Sequence, residues 1–78
     1  MPRYYFHIRD GLYLPDAEGT ELEDAAAAKQ QAVAVSSEAI HDLGERFWSG
    51  HLWQMEVVDD QGREVLTLHF RGNLIQRV

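Results

Sequence analysis

From Arg3 to Ile8 the apolar side chains Tyr4, Phe6 and Ile8 alternate with Arg3, Tyr5 and His7, the two-residue period of a strand with one buried face. Asp10-Gly11 then marks a hairpin. A two-residue loop would set Leu12 and Leu14 beside Arg9 and His7. A three-residue loop Arg9-Asp10-Gly11, with Gly11 left-handed, instead pairs Ile8 with Leu12 and Phe6 with Leu14 and keeps all four on one face. The second register is the expected one. Pro15 has no amide to donate, so the second strand belongs at a sheet edge.

After a turn at Glu18-Gly19, Leu22 anchors the connection and Asp24 caps a helix by accepting a backbone N–H bond. At ~100° per residue, Ala25, Ala28, Ala32, Val35, Ala39, Ile40, Leu43 and Phe47 gather on one side. Gln30, Gln31, Ser37, Glu38, His41 and Glu45 gather on the other, so one face packs and one is wet. The helix is expected to run to about Trp48, with Gly44 disturbing its last turns. Alanines at its start bring it close to the sheet, and larger residues hold it off at its end.

A second hairpin follows Gly50. Trp53, Met55 and Val57 alternate on a third strand and Leu66, Leu68 and Phe70 on a fourth. A four-residue loop Asp59-Asp60-Gln61-Gly62 would pair Met55 with Leu66 and Trp53 with Leu68. The tail from Arg71 to Val78 is short and apolar at Leu74, Ile75 and Val78. Together these elements predict one domain over residues 1–78 of the α+β class: ββαββ, a four-stranded antiparallel sheet with one long helix across one face. The expected strand order is 2-1-3-4, which keeps Pro15 on an edge and takes the helix as a right-handed crossover; 2-1-4-3 is the alternative.

Composition narrows what such a domain could do. At 78 residues the core is small, and without Cys it has neither disulfides nor thiolate metal sites, so a partner subunit is the natural further source of stability. The net charge of −6 repels a nucleic-acid backbone on average. No leader, lipidation signal or run of ~20 apolar residues points to a membrane, so a cytoplasmic protein is expected.

Candidate chemistry is sparse. The acids Asp16, Glu18, Glu21, Glu23 and Asp24 lack the spacing of a calcium loop and read as acids near a helix N-terminus. His7 and His69 lie on separate strands, His41 on the wet helix face and His51 at an element boundary, so no zinc set is expected. Ser36, Ser37 and Ser49 fall in or beside the helix, with no nucleophile elbow or phosphate loop, so no catalytic residues and no cofactor are assigned. The open sheet face is the better candidate: Tyr5, His7, Tyr13, Leu52, Gln54, Glu56, Val65, Thr67 and His69 mix aromatic, aliphatic and polar groups as association surfaces do.

The opening Met1-Pro2-Arg3-Tyr4-Tyr5-Phe6-His7-Ile8-Arg9-Asp10-Gly11, the Leu14-Pro15-Asp16 and Glu18-Gly19 turn, Glu21-Leu22 before Asp24, the helix alanines Ala28 and Ala32, and the closing Asp60-Gln61-Gly62-Arg63-Glu64-Val65-Leu66 resemble a family of small alphaproteobacterial proteins known only as a domain of unknown function. The resemblance covers nearly the whole chain and implies a bacterial, stand-alone, cytoplasmic protein, with no activity, ligand or catalytic residue assigned. Glu23 stands where that family would have Pro, and the tail from Arg71 is its variable part.

The expected function is therefore a non-catalytic binding or regulatory module acting as a homo-oligomer, with an unidentified protein partner. A nucleic-acid-associated regulator of the antitoxin kind, using Arg3, Arg9, Arg63, Arg71 and Arg77, is the alternative, and a small-molecule enzyme comes third. A helix from Asp24 to Trp48 would extend roughly 36 Å at ~1.5 Å per residue, against about 26 Å for an eight-residue strand, so its last turns should overhang the sheet. A homodimer is expected to cover Phe47 and Trp48 on that overhang, the open sheet face, or both.

Overall fold

The computed structural model describes residues 1–49 and 52–75; His51, Arg77 and Val78, named above, lie outside the described residues. The class is α+β. Strands β1 (Arg3–Arg9), β2 (Tyr13–Leu14), β3 (Thr20–Glu21), β4 (Trp53–Asp59) and β5 (Glu64–Phe70) form one antiparallel sheet, and α1 (Ala25–Leu43) packs on one face of it. The expected count of four becomes five. β3 is the addition, and it sits on β1, so the path β2-β1-β4-β5 carries a branch. Leu22 N–H donates to Pro2 O at 3.0 Å and extends that short pairing by one bond.

Both hairpins depart from the expected register by two residues. Ile8 pairs with Leu14 and Arg9 with Tyr13, and the loop is Asp10-Gly11-Leu12 with Gly11 at its tip, φ 75°. The Phe6–Leu14 pair does not form because the Phe6 amide is taken by the Asp16 carboxylate at 3.1 Å. In the second hairpin Met55 pairs with Leu68 and Trp53 with Phe70, after a bulge opposite Val57/Val58. Asp59 belongs to β4 and not to the loop: its N–H donates to Arg63 O at 2.9 Å, while Gly62 N–H donates back to Asp59 O at 3.0 Å. A turn closed this way needs one more residue on the returning strand, and the bulge supplies it. From Leu66 onward, and in the first hairpin, a two-residue shift leaves each side chain on its original face, but before the bulge the shift is one residue, and Val65, expected on the open face, packs against the core instead. Leu14 thus stays on the Phe6 side, although Leu12 and Leu14 are both exposed.

The helix starts where expected. Asp24 Oδ1 accepts the Ala27 amide at 2.9 Å. It ends earlier than expected: Gly44 adopts φ 56°, ψ −128°, outside the helical region, and Gly44–Ser49 continues as a 3-10 helix. Nineteen residues give a helix of roughly 28 Å at ~1.5 Å per residue, so most of the expected overhang disappears. Phe47 and Trp48 lie on the 3-10 helix, packed edge-to-face at 5.4 Å. The chain after β5 lies against them, since a Cβ on Gly72 would stand 2.7 Å from Phe47 Cε2 and 2.5 Å from Trp48 Cζ3.

The core is Tyr4, Phe6, Trp53, Met55 and Val57 of the sheet against Ala28 and Ala32, flanked by Ile8, Leu22, Val35, Ile40, Leu43, Leu66, Leu68 and Phe70. Ala25 is exposed at the helix start, contrary to the expected stripe. Ser36, absent from that stripe, is fully buried, and its hydroxyl donates to Val33 O at 3.2 Å. Small side chains at every fourth position, Ala28, Ala32 and Ser36, therefore form the line along which the helix meets the sheet. No described helix is long and apolar enough to cross a membrane.

Candidate binding face

With α1 on one side, alternation turns Tyr5, His7 and Arg9 of β1, Gln54 and Glu56 of β4, and Thr67 and His69 of β5 to the other. Cross-strand pairing sets them in rows. His7, Glu56 and Thr67 form one row, and Arg9, Gln54 and His69 the next. Together with Tyr13 from β2 these two rows line a shallow concavity of about 80 Å³. Along its edge the aromatic rings are contiguous: Tyr5 and His7 lie near-parallel at 6.4 Å, His7 and Tyr13 tilted at 6.0 Å, and the Arg9 guanidinium sits 4.2 Å over the Tyr13 ring.

One residue outside the face holds this edge in place. Between β2 and β3 the outer edge of β1 has no strand, and Asp16 fills the gap: Oδ2 accepts Phe6 N–H at 3.1 Å, and Oδ1 accepts Glu18 and Gly19 N–H at 3.2 and 3.0 Å. The Asp16 amide in turn donates to His7 Nδ1 at 3.0 Å, which places the ring hydrogen on Nε2 and fixes the ring plane. Partial burial pushes the Asp16 carboxyl up, but the Gly19, Phe6 and Glu18 amides outweigh it and hold the group below the ordinary carboxylate range. The loop closes on Gly19 at φ 70°, where a Cβ would stand 2.9 Å from Arg3 Cγ, Tyr4 O and Tyr5 Cε2; only glycine fits. Arg3 clamps the same loop, donating to Glu18 O at 2.7 Å and pairing with Glu21 at 2.9 Å.

Of the residues singled out from the sequence, Tyr5, His7, Tyr13 and His69 share this face. Leu52, half-buried just before β4, is not part of the concavity. Phe47 and Trp48 belong to the 3-10 helix, outside it. Sequence reasoning missed Asp16 as an organiser and Arg9 as a member of the face. An Asp two and three residues ahead of Glu18-Gly19 is an Asx-turn signal, but the vacancy it fills on β1 is a long-range fact. Three arginines of the alternative reading are engaged separately among the described residues: Arg3 serves the Asp16 loop, Arg63 pairs with Asp59 at 3.0 Å, and Arg9 stacks on Tyr13. Among the described residues, no three His, Asp or Glu side chains approach as metal ligands, and the Ser36 and Ser49 hydroxyls donate to the carbonyls of Val33 and Arg46.

The model of the family described as Domain of unknown function (DUF6894) matches residues 3–71. The chain belongs to that family. The matched span contains every residue of the DUF6894 face described above, from Tyr5 to His69, and the Asp16 loop that orders it. No curated protein and no solved structure matches the chain.

Proposed function

We propose that the protein is a non-catalytic binding or regulatory module of the bacterial cytoplasm, that it acts as a homo-oligomer, and that it engages a protein partner through the open sheet face. The carrying observation is the contiguous row Tyr5, His7, Tyr13 and Arg9, held in one geometry by the Asp16 loop. Rigid amphipathic rings offer contact area at low entropic cost, and aromatic and Arg side chains dominate binding energy at protein interfaces. The concavity, about 80 Å³, is small beside the roughly 300–1,000 Å³ of small-molecule sites and suits one inserted side chain of a partner rather than a whole substrate.

Affinity capture from the native cell tests this, with wild type, Tyr5→Ala/Tyr13→Ala and Trp48→Ala as baits. The reading expects a partner retained by wild type and Trp48→Ala and lost from the double variant; equal capture by all three would refute it. The stack of Arg9 on Tyr13 beside two further rings is also a platform for unpaired bases, which favours the nucleic-acid reading as the second one. Glu56 in the middle of the face and a net charge of −6 weigh against it. Sub-micromolar, steeply salt-dependent retardation of nucleic acid in a low-salt mobility assay would put that reading in place of the first.

A further inference from the structure

The two edges of the sheet are treated differently. On the outer side of β1 the backbone is occupied along its length by β3, by the Asp16 carboxylate and by β2. On the other side of the sheet, β5 pairs with β4 through Glu64–Phe70, and among the described residues no strand lies on its outer edge. A seven-residue edge is a template for another strand, and the usual guards against that are Lys, Pro or an inward-pointing charge. β5 carries none of these from Leu66 to Phe70; its charge, Glu64, and its bulge, which also guard edges, both lie at its start. It leaves Val65, Leu66, Leu68 and Phe70 only half-buried.

We propose that β5 is the edge on which a second copy of this chain docks, antiparallel and about a two-fold axis normal to the sheet. The occupant follows from the charges at the two ends of the strand. Glu64 opens β5 and Arg71 follows it, both exposed, so antiparallel self-pairing carries each Glu64 to the neighbourhood of Arg71 of the second copy, once at either end. Parallel pairing would set like charges together. Thr67, exposed at the middle of the strand, falls near the axis. Leu66 of each copy then meets Leu68 of the other on the helix side, which covers apolar surface that α1 leaves half-exposed. Both helices lie on the same side of a continuous sheet. Since Thr67 and His69 line the concavity, the two concavities become neighbours on one uninterrupted face, a bivalent surface for a two-fold partner.

The inference rests on the homo-oligomeric part of the proposed function, and the experiment separates the two. Light scattering over about 10–200 µM is combined with amide hydrogen exchange for wild type, Glu64→Arg, Arg71→Glu, the double swap and Thr67→Lys. A wild-type mass of twice 9.0 kDa is expected. Each single reversal should weaken the dimer about tenfold or more, the swap should recover it to within about threefold, and Thr67→Lys should give a monomer. Alternate β5 amides should gain protection as wild-type concentration rises. The charge variants alter exposed side chains alone, so they decide the matter even if Thr67→Lys folds poorly. A mass of 9.0 kDa throughout would overturn this inference and the homo-oligomer together. A dimer indifferent to every variant, with β5 exchange independent of concentration, would overturn the β5 contact and leave the homo-oligomer standing.

Discussion

Replacing Asp16 by Asn keeps the size of the side chain and removes one acceptor oxygen, which makes it a direct test of how the binding face is held. In the native protein three amides converge on two oxygens, Phe6 on one and Glu18 and Gly19 on the other. An Asn carbonyl can satisfy the Glu18–Gly19 pair, but its NH2 then faces the Phe6 N–H, donor against donor; turning the amide over relieves Phe6 and strands the other two. A hydrogen bond to a charged acceptor contributes about 1.5–3 kcal/mol and the Phe6 site is partly wet, so the expected loss is about 1.5–2 kcal/mol. At roughly 4–8 °C per kcal/mol for a domain of this size, Tm should fall by about 6–15 °C at pH 7. The difference should also depend on pH. Because the folded carboxyl titrates below its ordinary 3.8, its contribution is complete above that pH and is lost as pH falls through the folded value. Circular-dichroism melts of both proteins from pH 7 to pH 2 would show the gap closing at the acid end. A gap under about 0.5 kcal/mol at pH 7, within the range of an ordinary surface substitution, would refute the role of the charge, as would a larger gap that stayed constant down to pH 2.

Gly19→Ala must place a methyl against Tyr4 O, Arg3 and Tyr5 at a positive φ, so a loss of about 2–3 kcal/mol in urea unfolding is expected, together with weaker near-ultraviolet ellipticity from the displaced Tyr5 ring; stability within 0.5 kcal/mol of wild type would contradict the close approach. Gly72→Val should lift the tail from Phe47 and Trp48 and shift part of the tryptophan emission to the red, while Trp53, 2 % exposed, supplies the unchanged blue component; an unaltered spectrum would contradict that contact. Asp59 is also held below the ordinary carboxylate range, first by the Arg63 amide, against slight burial, and then by the Gln61 amide and the Arg63 guanidinium, so Asp59→Asn should flatten the acid limb of the stability curve below about pH 4 and leave its shape above pH 5 unchanged.

What the sequence made legible is what alternation records. Tyr5, His7, Tyr13 and His69 could be assigned to one face, and Phe6, Trp53 and Leu68 to the other, from parity alone. Parity cannot count loop residues, because a shift of two leaves it intact, and both hairpins slipped by two. The slip at Ile8–Leu14 depends on Asp16 reaching back ten residues to the Phe6 amide, which no local pattern encodes. The helix end was obscured for a related reason. Leu43 and Phe47 keep a helical spacing across Gly44, so hydrophobic periodicity continues where the backbone turns aside. A loop Arg9-Asp10-Gly11 takes Arg9 out of the strand, whereas the observed pairing of Arg9 with Tyr13 keeps it in β1 and sets its guanidinium over the Tyr13 ring.

The line Ala28, Ala32 and Ser36 has a consequence for where along the sheet the helix can rest. Three small residues at four-residue intervals make a nearly smooth rail, and a rail by itself would permit the helix to step by one turn, ~5.4 Å, with little change in fit. The ends of the rail forbid the step. Moved one turn in one direction, the slot now filled by Ser36 would have to receive Ile40; moved in the other, the slot of Ala28 would receive the carboxylate of Asp24, taken from the Ala27 amide that it caps. The helix is therefore indexed by the bulk at one end and the charge at the other, and the alanines between them set its height above the sheet without setting its position.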